Sequence, residues 1–180
     1  MSRAAVPPVA SGGQTWLRMV WRRVAWYLGL CVWPALALAQ PPADPEWQES
    51  VVTPPAFQTE RLQTFPVSVN SSMVFGLDPA TLSVGPDYVV RYVVVARSGS
   101  GALNALFEGV RCKTAEVRTY ARWDNNRTAW NTTQSGWQPL GSVRHAARLA
   151  ALAFCDGNAV TGDPQQILQA LRRGSIEPTR

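Results

Sequence analysis

The chain has 180 residues, with 17 Lys plus Arg against 12 Asp plus Glu, eight Trp, three Cys and a single His. That length holds one ordinary globular domain and excludes a multidomain enzyme. With 46% hydrophobic and 16% charged residues the composition is that of a folding chain rather than a charged disordered tail, and no repeat or low-complexity tract interrupts it.

The apolar run Val24 to Ala39 follows Arg18, Arg22 and Arg23 and closes on Ala37-Leu38-Ala39, with small residues where a signal peptidase reads. Residues 1–39 are therefore expected to be a signal peptide cleaved after Ala39, with Met19 as the suspected true start. The run is shorter than the roughly 20 apolar residues that cross a bilayer and contains Pro34, which argues against a membrane anchor. Cys31 follows Leu30 inside the apolar core, where a lipid-accepting cysteine would need a small neighbour, and Arg22-Arg23 lacks the setting of a twin-arginine signal. Cleavage leaves residues 40–180 and removes Arg3, Arg18, Arg22 and Arg23 but no acidic residue, so the mature chain is nearly neutral and the basis for nucleic-acid binding disappears. A periplasmic location follows, with membrane contact only in transit.

Of the cysteines, Cys31 leaves with the signal and Cys112 and Cys155 remain in an oxidising compartment, where they can form one bridge. The bridge would close a 44-residue loop, worth about 4 kcal/mol in the chain-entropy picture. No Cys-x-x-Cys spacing supports a redox pair instead.

Residues 40–61 are rich in proline and carry no sustained period, so they read as an extended leader lying on the surface or partly disordered, with the folded part, residues 62–176, beginning near Leu62. Phe65 to Val69 and Met73 to Leu77 read as short strands, followed by a helical turn from Ala80 to Leu82 after Asp78-Pro79. Tyr88 to Arg97, apolar on both faces, is the clearest strand and should be central. Ala105 to Cys112 and Ala115 to Trp123 continue an antiparallel meander. The latter alternates strictly, with Glu116, Arg118, Tyr120 and Arg122 on one solvated side and Val117, Thr119, Ala121 and Trp123 on the other. Asp124 to Arg127 turns the chain into an edge strand at Thr128 to Asn131. Ser142 is placed to cap a helix from Val143 to Phe154, and Asp163-Pro164 starts another from Gln165 to Arg173, ended by Gly174. The expected fold is a single α+β domain: an antiparallel sheet of four to six strands packed by two C-terminal helices and tied by one disulfide.

The segment VVRYVVVARSGSGALNALFEGVRC, the pair Tyr120-Ala121, the helix RHAARLAALAFC and the closing ILQALRRG together resemble the CNP1-like family. The resemblance covers roughly Trp47 to Gly174, and its most specific parts are Ala96-Arg97-Ser98, Glu108 to Cys112 and Cys155. It implies an exported, envelope-located bacterial protein and supplies no activity. In that setting Asn70-Ser71-Ser72, Asn126-Arg127-Thr128 and Asn131-Thr132-Thr133, which match the glycosylation pattern, are turn chemistry.

His145, the sole histidine, lies on an apolar helical stripe with Leu149 and Leu152, and no nucleophile elbow, phosphate loop or zinc motif accompanies it. Glu108 shares a strand face with Leu106, Val110 and Cys112, so it needs a partner, for which Arg91, Arg97 or Arg118 on neighbouring strands are candidates. The catalytic alternative makes Glu108 a general acid beside His145 in an open cleft, a small periplasmic hydrolase. Trp123, Trp130 and Trp137 recur around a polar turn and, with Tyr120, can form a stacking surface for a glycan or peptide. Arg91, Arg97 and Arg111 join them as binding candidates. Arg144 and Arg148 read as a solvated face. No metal site or cofactor is implied, and the favoured function is a non-catalytic interaction or structural module whose partner is an envelope protein or glycan.

Overall fold

The computed structural model describes residues 47–68 and 71–176. The signal-peptide reading lies outside the described residues, as does Val69; of the strand expected over Phe65 to Val69 only Phe65 is in a strand, the end of Gln63–Phe65, and residues 66–68 are not. From Trp47 to Leu62 the chain has no helix or strand. Then follow β1 (Gln63–Phe65), β2 (Met73–Leu77), a single 3-10 turn (Pro79–Thr81), β3 (Ser83–Val84), β4 (Val89–Ser98), β5 (Leu103–Arg111), β6 (Glu116–Asp124), β7 (Ala129–Thr132) and β8 (Gln138–Pro139). The C-terminal part holds α1 (Arg144–Leu149), β9 (Cys155–Asp156), β10 (Ala159–Val160) and α2 (Pro164–Ile176).

Consecutive β-branched residues in VVRYVVVARS favour extended backbone and can bury both faces, and β4 is buried from Val89 to Ala96. It sits inside an antiparallel path β1-β2-β4-β5-β6-β7, with β3 also paired to β4 and β8 to β6. The α+β domain and its central strand are as the sequence indicates, and β3 and β8 add two short strands too brief to show a period. Tyr88 is not part of β4: its φ of 58° turns it out of the strand, and its side chain stands exposed.

The two sheet faces have different covers. Val90, Tyr92 and Val94 of β4, Leu106 and Val110 of β5 and Val117 of β6 face α1 and α2, and pack with Leu149, Ala153, Phe154, Ile167 and Leu171. The opposite face carries Val93, Val95, Ala105, Phe107 and Ala121, and its cover is the leader, through Val52, Phe57 and Leu62. The Pro-rich segment is thus a packed part of the domain from Trp47 onward, because apolar residues spaced too irregularly for helix or strand still find a sheet face to bury.

The strict alternation expected for β6 fails at one place. Phe107 pairs with Ala121 but Glu108 pairs with Thr119, so Tyr120 is the extra residue of a β-bulge. The bulge lets Thr119 face the helices while Ala121 and Trp123 turn to the leader side.

The helix after β8 is also irregular. Ser142 does not cap it: its Oγ donates to the Pro139 carbonyl at 2.7 Å, and Val143 holds the N-cap position without a side-chain bond. After α1 the coil widens to π geometry over Ala150–Phe154, sets Phe154 against the Tyr92 ring at 4.9 Å, and delivers Cys155 to Cys112 with Cα atoms 5.6 Å apart. The start of α2 is a reciprocal capping box, in which Asp163 Oδ1 accepts the Gln165 and Gln166 N–H groups and Gln166 Oε1 accepts the Asp163 N–H. This helix continues through Gly174 to Ile176, and glycine serves there as a close-approach residue: a Cβ would stand 2.8 Å from Leu152 Cδ2.

Candidate functional site

Two clusters of polar side chains lie on opposite faces of the sheet. On the leader side, Arg91 projects from β4, and Arg118 and Tyr120 from β6, where the bulge advances Tyr120 over its neighbours. Gly109 on β5 makes room for the phenol, since a Cβ there would meet the Tyr120 hydroxyl at 2.7 Å. Both guanidinium groups lie over the Tyr120 ring, Arg91 at 5.6 Å and Arg118 at 5.4 Å from its centroid.

Into this group the leader inserts Glu49. Its carboxylate accepts from Arg118 Nη1 at 2.6 Å, from the Tyr120 hydroxyl at 2.8 Å and from Trp137 Nε1 at 3.2 Å. Trp47 lies under Arg111, 3.8 Å from guanidinium carbon to ring centroid, and its Nε1 donates to the Asp87 carbonyl at 3.0 Å. Asp87 forms a bidentate pair with Arg91 at 2.9 and 2.5 Å and accepts the Ser50 N–H at 2.8 Å. Burial works against the charged form of Asp87, yet Arg91 and the Ser50 N–H hold its carboxyl well below the usual carboxylate range. Burial, reinforced by the Glu49 carboxylate, pushes the Tyr120 phenol well above its ordinary value. Further along, Phe57 is clamped between Trp123 and Trp130, with centroids at 5.1 and 5.3 Å, and Trp130 Nε1 donates to the Pro55 carbonyl at 2.8 Å. Asp78 Oδ2 takes the Gln58 N–H.

On the helix side, Glu108 is almost wholly buried and accepts from the Tyr92 hydroxyl at 3.0 Å and Thr119 Oγ1 at 3.2 Å, while its Oε2 lies 2.8 Å from His145 Nε2. Phe75 stacks on the His145 ring with centroids 5.6 Å apart. Burial first, and then the Glu108 charge, raise the Tyr92 phenol well above its ordinary value. The arginines named as partners for Glu108 do not reach it: Arg91 and Arg118 leave the sheet on the other face to bind Asp87 and Glu49, and Arg97 is exposed at the end of β4. In place of an arginine, two hydroxyls and an imidazole satisfy the carboxylate.

The structure therefore brings Glu108 and His145 together, and gathers Arg91, Arg111, Tyr120 and Trp137 around the leader, with Trp123 and Trp130 at its far end. Arg97 stands apart, beside a cavity of about 200 Å³ bordered by Glu60, Leu62 and Thr64. A larger cavity of about 470 Å³ lies between Trp47, Tyr88, Arg111, Lys113 and Asn158. Neither borders Glu108 or His145. The aromatic surface expected for a free ligand is occupied in this chain by its own residues 47–57. Trp47, Glu49 and Phe57 escape sequence reasoning because they lie in a segment without period. The available signal was two aromatics and an acid, of types that seldom sit idle in a Pro-rich linker, preceding a sheet rich in arginine and tryptophan. Among the described residues no group of three or more His, Cys, Asp and Glu side chains could hold a metal ion, and no helix is long and apolar enough to cross a membrane.

Comparison with known proteins gives one family and one curated relative. The model of the CNP1-like family matches residues 42–172. Cryptic neisserial protein 1 of Neisseria gonorrhoeae (strain ATCC 700825 / FA 1090) is 29% identical over 120 residues, covering 57% of this chain and 59% of the relative, so the match spans little more than half of either protein. No solved structure matches.

Proposed function

The chain belongs to the CNP1-like family, and we propose that it is an exported, non-catalytic interaction module of the bacterial cell envelope. The observation that carries this reading is the leader-side face of the sheet, where arginine and aromatic side chains hold an irregular segment through the Glu49 carboxylate, the Trp47 indole, the Pro55 carbonyl and the Phe57 ring. Such a surface is equipped to recognise polypeptide by side-chain contact. Export is supported by the apolar run before Ala39 and by the Cys112–Cys155 bridge, which suits an oxidising compartment.

The hydrolase reading has one observation in its favour, the contact of Glu108 with His145. Every oxygen of Glu108 is engaged, Phe75 covers the imidazole, and no cavity described above reaches either group. A tightly satisfied buried carboxylate joining β4, β5, β6 and α1 is a structural fastening.

The test is in-cell photo-crosslinking from Val51, which is fully exposed beside the Glu49 cradle, with fractionation of the envelope. The proposal expects the protein in the periplasmic fraction and a discrete crosslinked envelope protein that is lost in Arg118→Glu. A cytoplasmic location, or a hydrolytic activity abolished by Glu108→Gln and kept by Arg118→Glu, would overturn it.

A further inference from the structure

We propose that the end of the sheet where β4 begins and β5 ends carries a carbohydrate site, in which a pyranose ring of a glycan stacks on Tyr88 and hydrogen-bonds to Asn158. The site does not depend on the polypeptide reading above, since none of the side chains that hold Glu49 lines it.

Two hollows meet at this end of the molecule. The cavity of about 470 Å³ and a second of about 330 Å³ share Trp47, Asp87 and Tyr88. The larger falls within the range of about 300–1,000 Å³ typical of small-ligand sites, and Cys112, Ala159 and Val160 give it an apolar wall. Tyr88, bordering both, is 75% exposed. Its backbone holds it there: its N–H donates to the Gly85 carbonyl at 3.0 Å to close the turn, and a φ of 58° swings the side chain out of the β4 register. Left-handed backbone is unfavourable for a residue with a Cβ. Ala115 and Thr128 adopt it with short side chains at the turns after β5 and β6, whereas at Tyr88 the same conformation carries a large ring into solvent beside a cavity. A strained residue that exposes an aromatic ring next to a hollow is a mark of a binding site.

A second wall is the β9–β10 hairpin. Gly157, with φ 58°, turns it, Cys155 pairs with Val160, and the Cys112–Cys155 bridge fastens it to the chain just past the end of β5. A wall pinned covalently is in place before a ligand arrives. Asn158 is exposed at the tip, and among the described residues its side-chain amide makes no hydrogen bond, which leaves two N–H donors and a carbonyl acceptor for a ligand.

These groups select the class of ligand. Arg111 and Lys113 are engaged within the protein, Arg111 by stacking 3.8 Å over the Trp47 ring, so the site is not built around an anion. Strand β10 has two residues, too short an edge for an added peptide strand. A purely apolar ligand would cover the Asn158 amide without pairing it. A pyranose meets both demands: its C–H face is apolar and lies flat on a phenol, and its hydroxyls exchange hydrogen bonds with a side-chain amide.

The experiment titrates the disulfide-intact protein with the trisaccharides of N-acetylglucosamine, of β-linked glucose and of α-linked glucose, each to about 10 mM, and follows the Tyr88 ring and Trp47 indole resonances. At least one sugar should bind saturably with a Kd of about 1 mM or tighter, moving those two signals and leaving Trp123 and Trp130 unmoved. Tyr88→Ala should weaken that binding about tenfold, and Asn158→Ala about fivefold. Tyr88→Gly separates a ligand platform from a packing residue: freed of the left-handed strain, this variant should unfold at higher urea than wild type while losing the sugar. The assignment is overturned if none of the three sugars moves either signal, if the shifts fall on Trp123 and Trp130, or if Tyr88→Gly is less stable than wild type. A synthetic peptide of residues 47–57 is the control, and movement of Tyr88 by that peptide and by no sugar would make the occupant a polypeptide and equally overturn it.

Discussion

Replacing Asp87 by alanine strands a guanidinium inside the protein. The side chains of Arg91 and Asp87 are 3% and 1% exposed, and the two make a bidentate contact at 2.9 and 2.5 Å. Breaking a buried pair by removing one partner costs about 3–5 kcal/mol, because the remaining charge keeps its desolvation penalty and loses its compensation. The Ser50 N–H loses its acceptor as well, for about 1 kcal/mol more. Against a total stability of roughly 5–15 kcal/mol this is a large fraction. With a urea slope of about 2 kcal/mol/M the midpoint should fall by about 2 M. Asp87→Ala combined with Arg91→Met should recover most of the loss, since an apolar pair of similar volume is often no less stable than a buried ion pair. The sign of the pH dependence is also fixed. The folded-state carboxyl is depressed below the unfolded value of about 3.9, so its contribution is complete above that pH and is lost as pH falls towards the folded value. Urea melts of wild type and both variants between pH 2.5 and 7 should show a steep acid limb that flattens in Asp87→Ala. A single variant within about 1 kcal/mol of wild type, or a double variant less stable than the single, would refute the reasoning.

Four further outcomes follow from the same contacts. Glu108→Ala leaves Tyr92, Thr119 and His145 without their acceptor and should cost about 3 kcal/mol or more, whereas Glu108→Gln, which keeps an acceptor oxygen, should cost about 1–2 kcal/mol; thermal or urea melts that rank them the other way would contradict the fastening role. Gly109→Ala places a methyl 2.8 Å from Val89 Cγ1 and against Tyr120, costing about 1–3 kcal/mol and shifting the Trp137 indole resonance as Glu49 loses its phenol. The double substitution Cys112→Ser with Cys155→Ser opens a loop spanning a separation of 43 residues and should lower stability by about 4 kcal/mol in urea melts. Tyr92 and Tyr120 should ionise well above the ordinary value of about 10, so stability that is complete below that pH is lost as pH rises towards their folded values, and ultraviolet titration should show two phenols resisting base until unfolding.

The sheet and helices are legible in the sequence where period and composition agree. Runs such as VVRYVVVARS and the Asp163-Pro164 helix start state their own structure locally, and β4 and the start of α2 appear within a residue of where those signals place them, whereas α2 runs three residues past the Arg173 end expected from Gly174. The contact of Glu108 with His145 is also within reach of sequence, because the Cys112–Cys155 bridge draws β5 and the helix before Cys155 together. Three things are not legible. A β-bulge carries no compositional mark, so the face of Tyr120 and all that follows it in β6 is set by tertiary pairing. The partner of Arg118 is Glu49, 69 residues away in sequence, and a Pro-rich stretch offers no period from which docking could be read. Ser142 follows the rule for a cap, but the chain enters the helix through a 3-10 turn that takes its hydroxyl for Pro139.

The central claim is that the arginine and tryptophan face of the sheet holds the chain's own residues 47–57 as a ligand is held. The most direct measurement is a set of nuclear Overhauser contacts in the folded, oxidised protein between the Phe57 ring and the Trp123 and Trp130 indoles, recorded with the indole N–H resonances of Trp47, Trp130 and Trp137. The account predicts strong Phe57 contacts to both indoles, at centroid separations of 5.1 and 5.3 Å, and a Trp137 indole shift in Glu49→Gln that leaves Trp130 unmoved. Phe57 without contacts to either indole, and a Trp137 resonance indifferent to Glu49, would contradict it.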